Sequence, residues 1–275
     1  MLDLVVDGNS IYARSWYAAQ TINPNGGETL RLAAVTIMNL LHPDRNQIGS
    51  RFDRTLFCWD AQVNESKNRE PKPQEYYDMR DIAKELFTFL LGTNHVEQSP
   101  YEGDDLVASA VYKSKPGVET YIVSGDKDLM QLVDKHTHYY SLNEKCVLSE
   151  AFVCGKFHVK QPDQIALALA IQGDPVDCVS GVKGWGPARV KKLFGEVTKN
   201  MSFDQAVAVL ESHMNPEQNT QFYDSLARTL LNTTLTVPEP APIVFPSEDE
   251  VADLGMPELD YRFREVKFLY EENLF

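Results

Sequence analysis

Between Glu102 and Asp128 the chain reads E-G-D-D-L-V-A-S, a short turn, and then Y-I-V-S-G-D-K-D, so Glu102, Asp104, Asp105, Asp126 and Asp128 stand close together in sequence. Like charges a few ångströms apart raise one another's pKa, and such a cluster stays ionised and folded only with cations in it. Oxygen ligands without cysteine or histidine suit Mg²⁺ or Mn²⁺ rather than zinc. Single acids commonly cap helices and solvate turns. Five in two groups at element ends point instead to a metal centre.

The elements around these acids account for their placement. The apolar run Val118, Tyr121, Ile122, Val123 reads as a buried parallel strand, and Ser124-Gly125 as the turn at its carboxyl end. Ligands bind at that end of an open α/β sheet. Asp104-Asp105 open an apolar-periodic helix through Leu106, Val107, Ala110 and Val111, and acids favour a helix start. Leu2 to Val6 is a first strand ending at Asp7, with Asn9 or Ser10 able to cap a helix over residues 11–20 that carries Arg14. Thr55 to Trp59 is a second buried strand, again ending in an acid, Asp60.

After Asp60 comes a charged, proline-broken segment holding the basic residues Lys67, Arg69 and Lys72. An amphipathic helix then runs from Gln74 or Glu75 to Leu91 and stops at Gly92, and His95 to Glu97 is a short strand. Beyond Asp128 the pattern gives a short helix over 129–133, a strand pair at 137–142 and 145–148, and a helix at 164–172. Gly173-Asp174-Pro175-Val176-Asp177 adds two acids three apart, which share one side of a helical turn. Gly181 to Gly195 reads as a glycine hairpin between helices, with Pro187 in the first turn of the second. Its amides suit a phosphate, and Arg189, Lys191 and Lys192 add positive charge. Helices at 203–211 and 221–231, a proline-rich linker at 237–247 and a short helix within 260–269 complete the chain.

The bulk figures are those of a globular protein: 275 residues, 43% hydrophobic and 24% charged. No apolar run is long enough to cross a bilayer. The N-terminus lacks the basic start of a signal peptide. Cys58, Cys146, Cys154 and Cys178 form no C-x-x-C pair, which argues against a zinc site or disulfide framework and for a reducing, cytoplasmic setting. The net charge of −14 speaks against a nucleic-acid partner. That objection weakens if the acids are metal ligands, since bound divalent ions invert the local field.

In order and approximate spacing, V-D-G-N-S with Arg14, F-C-W-D at Asp60, Y-E-G-D-D, S-G-D-K-D and G-D-P-V-D-C-V-S-G-V-K-G-W-G-P-A-R resemble the 5′-nuclease superfamily. These are the flap endonucleases and 5′→3′ exonucleases of bacteria and bacteriophages, and the likeness covers roughly residues 1–235. The resemblance implies an α/β fold: a mostly parallel PIN-like sheet flanked by helices, with a helical arch inserted and a helix–three-turn–helix subdomain behind it. The corresponding division is a core at 1–160 with the arch near 61–92, a DNA-binding subdomain at 161–235, and a linker and tail at 236–275.

It further implies two Mg²⁺ or Mn²⁺ ions. Asp7, Asp60, Glu102, Asp104 and Asp105 would hold one, and Asp126, Asp128, Asp174 and Asp177 the other, with Asp105 or Glu102 near the bridge. Catalysis would use Asp105, with Arg14 and Lys67 supplying positive charge. The arch motif of the family is out of register here, as Ser66-Lys67-Asn68-Arg69, so Lys72 is the alternative lysine. DNA would be held by Arg69, Lys72, Lys183, Gly184, Gly186, Arg189 and Lys192, with K⁺ at the 181–186 hairpin, although Ala188 stands where the family places a base. The implied activity is Mg-dependent, structure-selective hydrolysis of DNA at 5′ ends and flaps, by a monomer in a bacterial or host cytoplasm, with RNA primers as further substrates and no membrane partner. The competing readings are a PIN-type ribonuclease and a catalytically weak flap-DNA-binding protein.

Overall fold

The computed structural model describes residues 1–22, 26–42, 45, 48–49, 51–61, 72–91, 94–99, 101–114, 116–232, 261–262 and 264. Lys67, Arg69, most of the segment between Asp60 and Lys72, the proline-rich linker and most of the tail lie outside these residues. The chain divides into two compact units. Among the described residues, one contains Met1–Gly125, Tyr140–Val147 and residues 261, 262 and 264; the other contains Asp126–Tyr139 and residues 148–232.

In chain order the first unit holds β1 (Leu2–Asp7), α1 (Gly8–Ile22), α2 (Gly26–Leu41), β2 (Arg54–Trp59), α3 (Gln74–Leu91), β3 (Asn94–Glu97), α4 (Gly103–Tyr112) and β4 (Glu119–Ser124). With β5 (Thr137–Ser141) and β6 (Cys146–Leu148) these strands form a six-stranded sheet in the order β3-β2-β1-β4-β5-β6. β1 runs parallel to β2 with Asp7 opposite Cys58, and parallel to β4 with Val6 opposite Val123. β2 and β3 are parallel as well. Asp7, Asp60 and Ser124 therefore all leave the sheet at the carboxyl edge, where such sheets place their ligands.

Parallel strands covered on both faces read as continuous apolar runs, and these do. Leu4, Val6, Phe57, Trp59 and Val123 join one core with Ile11, Tyr12 and Trp16 of α1, Ile37 and Met38 of α2, and Phe87 and Leu90 of α3. Val5, Leu56, Cys58 and Ile122 alternate with them and are equally buried, pointing to the opposite face, where α4 packs on β1, β2 and β3. One polar pair interrupts the pattern. Buried Asp3 takes Arg54 from the neighbouring strand, Nε donating to Oδ1 at 2.9 Å and Nη2 reaching Oδ2.

The second unit is helical. A 3₁₀ turn at Asp128–Leu132 replaces the short helix expected there. α5 (Glu150–Phe157) follows, unexpected from the sequence, then a 3₁₀ turn at Pro162–Gln164 and α6 (Ile165–Gln172). α7 (Pro187–Leu193), α8 (Phe203–Glu211) and α9 (Pro216–Asn232) complete it. α6 is buried along nearly its whole length, from Ile165 to Ile171, as an all-apolar helix must be. α9 and α7 pack on it. α9 begins at Pro216, a turn ahead of the expected Gln221, because Asn215 caps it by accepting from the Gln218 N–H at 2.9 Å.

Behind the carboxyl edge, the Trp59 indole donates to His95 Nδ1 at 2.9 Å. Burial, with Lys84 nearby, lowers the His95 pKa from 6.5 to about 4. The unfolded chain thus takes up a proton near pH 6.5 that the folded state refuses until about pH 4. The stability this represents is complete above pH 6.5 and is lost as pH falls toward 4. Thermal melts between pH 7 and 4 should show a smaller acid-induced fall in Tm for His95→Gln, which keeps an acceptor for Trp59, than for the parent. Equal falls would mean that the imidazole does not titrate in this way.

Candidate functional site

Two groups of acids form, one in each unit. In the first, Asp7 ends β1 and caps α1 itself, displacing the expected Asn9 or Ser10. Its Oδ1 accepts from the Ser10 N–H at 3.0 Å, and its Oδ2 from the Ser10 and Ser124 hydroxyls at 2.5 and 2.7 Å. That moves the helix start to Gly8, tight against Trp59, where an added Cβ would lie 2.6 Å from the indole. Burial pushes the Asp7 pKa up to about 6; the bonds from Ser10 and Ser124 oppose the rise and Asp60 adds to it.

Asp60, just past β2, accepts the Gly103 N–H through Oδ1 at 2.7 Å. A side chain on Gly103 would crowd this bond, its Cβ 3.2 Å from Asp60 Oδ1. Glu102 caps α4 and is buried, and Asp105 closes the capping box by accepting the Glu102 N–H at 3.0 Å. Asp104 accepts the Asp105 N–H at 2.9 Å. The α4 start thus brings Glu102, Asp104 and Asp105 to the strand end that carries Asp60. Their carboxylates do not gather into a group as tight as that of the second unit. Beside them the Asn9 side-chain amide nitrogen is buried without a hydrogen-bond partner.

In the second unit, carboxylate oxygens of Asp128, Asp174 and Asp177 lie within 4.8 Å of one another, the one such group among the described residues. The sequence placed Asp174 and Asp177 on a helical turn. They sit instead in a loop closed by paired bonds between Asp174 and Val179, each N–H reaching the other's carbonyl at 2.8 Å. This loop still turns both acids toward Asp128. Asp126 stands apart from the group, its Oδ1 accepting the Asp128 N–H at 2.9 Å and its carbonyl the Tyr139 hydroxyl at 2.7 Å. Lys127, whose role the sequence did not show, pairs its ammonium with Asp174.

Burial first and the charge of Asp126 second push the Asp128 pKa to about 8, with Asp177 and Asp174 adding to the rise and Lys127 opposing it. Asp128 Oδ1 is buried with no hydrogen-bond donor. Three grouped carboxylates, one with a buried oxygen that has no donor, and no sulfur or imidazole among them fit a hard divalent cation.

The basic candidates lie on both units. Arg14 is exposed on α1 and donates to Asn143 Oδ1 at 2.9 Å. Lys72 is exposed just ahead of α3. In the second unit, α6 and α7 are joined by the glycine hairpin. Gly181 has φ +72°, and a Cβ there would lie 2.5 Å from the Gly173 nitrogen, so glycine is required. Lys183, Gly184 and Lys192 are exposed, and Gly186 precedes Pro187 at the start of α7. The Arg189 guanidinium lies 4.5 Å from the centre of the Trp185 ring, which holds it at the hairpin.

Residues 3–158 match the family described as 5′-3′ exonuclease, N-terminal resolvase-like domain. The chain is 31% identical over 199 residues to the thermostable DNA polymerase I of Thermus aquaticus, covering 70% of this chain and 24% of the polymerase. It is 31% identical over 196 residues to a 5′-3′ exonuclease of Mycoplasmopsis pulmonis, covering 69% of this chain and 65% of that protein. Its fold is shared with a bacteriophage T5 flap endonuclease solved as a pseudo-enzyme–product complex with DNA and metal ions, at a TM-score of 0.59 and 16% identity, covering 98% of this chain and all of the other. The match over residues 3–158 takes in more than half of the sequence, and the chain belongs to the 5′-3′ exonuclease family of the 5′-nuclease superfamily.

Proposed function

We propose that this chain is a divalent-metal-dependent 5′ nuclease that hydrolyses DNA phosphodiesters at 5′ ends and 5′ flaps, as a 5′→3′ exonuclease, a flap endonuclease or both. The observation that carries the reading is the Asp128, Asp174 and Asp177 group with its donorless buried oxygen. Membership of the family and the DNA and metal ions in the T5 complex support it. No helix among the described residues is long and apolar enough to cross a membrane.

In this reading Asp128, Asp174 and Asp177 hold one cation, with Asp126 tuning their charge. Asp7, Asp60, Glu102, Asp104 and Asp105 hold the other. Mg²⁺ or Mn²⁺ in such sites supplies positive charge to a phosphodiester and a more acidic bound water. The protein's own groups do the rest. Arg14 offers a guanidinium to phosphate, held in place by Asn143, and adds electrostatic stabilisation. Lys72 is the described lysine for the same task; Lys67 and Arg69 keep the roles the family resemblance gives them. Lys183, Gly184, Gly186, Arg189 and Lys192 at the hairpin would grip duplex phosphates, where a K⁺ ion held by the 181–186 turn would add positive charge, and such contacts position without reading sequence. Cutting then depends on where a 5′ end leaves the duplex rather than on base identity.

Cleavage of 5′-flap DNA, 5′-tailed RNA and linear duplex, each with Mg²⁺ and with EDTA, tests the proposal. The expected order is flap DNA first, with no cutting in EDTA. Asp128→Asn and Asp174→Asn should each lower flap cleavage by at least about 10²-fold, since losing a metal ligand costs more than losing its outer partner, while duplex affinity stays at the parent value. Full activity in either variant would refute the site.

The raised carboxyls give a second check. Protons held by Asp7 to about pH 6 and Asp128 to about pH 8 compete with a cation. Both acids also prefer the protonated folded state, so in EDTA their effect is to lower stability as pH rises from about 4 toward 8. The Tm difference between Mg²⁺ and EDTA should therefore be small near pH 5 and widen through pH 8. A difference independent of pH would rule out cation binding at these acids.

A further inference from the structure

Tyr17 lies three residues beyond Arg14 on α1, so the two occupy the same side of the helix, and both are exposed, Tyr17 by 51%. The neighbouring rings of α1 turn inward. Tyr76, in the first turns of α3, meets Tyr12 and Trp16 edge-on, with centroids 4.9 and 5.5 Å apart. The Tyr12 hydroxyl donates to the Tyr76 carbonyl at 2.6 Å. This packing fastens α1 to α3 without using Tyr17. Lys72, immediately ahead of α3, places its ammonium 5.4 Å from the centre of the Tyr17 ring, and its backbone N–H reaches the Tyr77 hydroxyl at 3.4 Å. An exposed ring is thus held on a two-helix base with the Lys72 ammonium beside it and Arg14 one turn away on the same side of α1.

We infer that Tyr17, flanked by Arg14 and Lys72, is a stacking site for a base of an unpaired DNA strand, a site that rests on the nuclease reading and extends it. The ring offers a π-face to a base and the two cations offer charge to its phosphates, the pairing by which single strands are bound without sequence preference. A duplex keeps its bases stacked inside and cannot use such a ring. Because α1 begins directly after Asp7, Tyr17 stands about 15 Å along the helix from that acid, so a strand laid on α1 from the acids outward reaches it.

Magnitudes favour the ring over the cations. Glu75 and Asp78 are exposed on the same first turns of α3, and the chain carries −14 overall, so long-range attraction is weak. Base–aromatic stacking changes affinity by about 5- to 150-fold per base, whereas an exposed ion pair contributes about fivefold or less.

Fluorescence anisotropy in EDTA, with a duplex carrying a 5′ thymine tail, the same duplex with abasic sites throughout the tail, and a blunt duplex, tests this. Tyr17→Ala should weaken binding of the tailed duplex by about 5- to 150-fold, leave the blunt duplex unchanged and keep the salt slope of the parent. Tyr17→Phe should bind as the parent does, and the abasic tail should erase the difference between parent and Tyr17→Ala. Lys72→Met should cost fivefold or less and reduce the salt slope by about 0.7. Parent-like binding of the thymine tail by Tyr17→Ala, or equal losses on tailed and blunt duplexes, would overturn the stacking site. If the parent cuts flaps while that happens, the nuclease reading stands without it; if the parent neither prefers the tail nor cuts, the nuclease reading itself fails.

Discussion

A carboxylate that must stay charged while buried needs positive charge or donors beside it, because desolvation otherwise returns its proton. The two acidic groups meet this constraint differently. Asp7 spreads its charge over one amide and two hydroxyls, from Ser10 and Ser124, and burial still holds it at about 6. Asp128 has less help. Its Oδ1 has no donor, burial and the charges of Asp126, Asp177 and Asp174 raise its pKa, and Lys127 opposes them, leaving it near 8. One ammonium against four carboxylates leaves a deficit that a divalent ion is suited to fill.

The fold delivers these acids at strand ends and helix starts, positions where a carboxylate is also locally useful. Asp7 caps α1 and Glu102 with Asp105 boxes the start of α4. Such caps hold the carboxylates in defined rotamers before any cation arrives, which is the preorganisation a metal site needs. They also use up lone pairs: Asp126 accepts the Asp128 N–H through Oδ1 and lies outside the tight trio. The absence of side chains matters equally. Gly103 lets α4 approach Asp60 closely enough for a 2.7 Å bond, and Gly8 lets α1 start flat against Trp59.

Much of this was legible in the sequence, for physical reasons. Parallel strands buried on both faces give unbroken apolar runs, so β1, β2 and β4 and the acids after them could be placed within a residue or so. α8 lies at the limits its amphipathic pattern gave, and a capping box between Ser202 and Gln205 fixes its start. What escaped depended on tertiary choice. Three residues, Asp7, Asn9 and Ser10, could each have capped α1; Asp7 does so because Ser124, far away in sequence, completes its bonding. α5 buries only Val153 and Phe157 and so leaves almost no amphipathic signal, though Ser149, which accepts the Phe152 N–H at 3.1 Å, marks its start. The 174–179 loop mimics a helical turn in sequence because the spacing of its acids is the same, while the bridge from Asp174 to Val179 decides its shape.

The net charge of −14 seemed to oppose a nucleic-acid partner. It does so only if the charges act as an average, and over distances beyond about 8 Å at physiological salt they are screened. What remains is local. Asp7, Glu102, Asp128 and Asp174 are buried, whereas Lys183, Lys191 and Lys192 are exposed around the glycine hairpin and Arg189 is pinned there over Trp185. These four acids are therefore turned inward, whereas the bases of the hairpin face outward. In the proposed function a chain this acidic gains little long-range steering toward DNA and would rely on short-range contacts: amides at a helix start, the guanidinium stacked on Trp185, and a cation held by the buried acids. That dependence on short-range fit favours recognition by the shape of a DNA junction over recognition by charge alone.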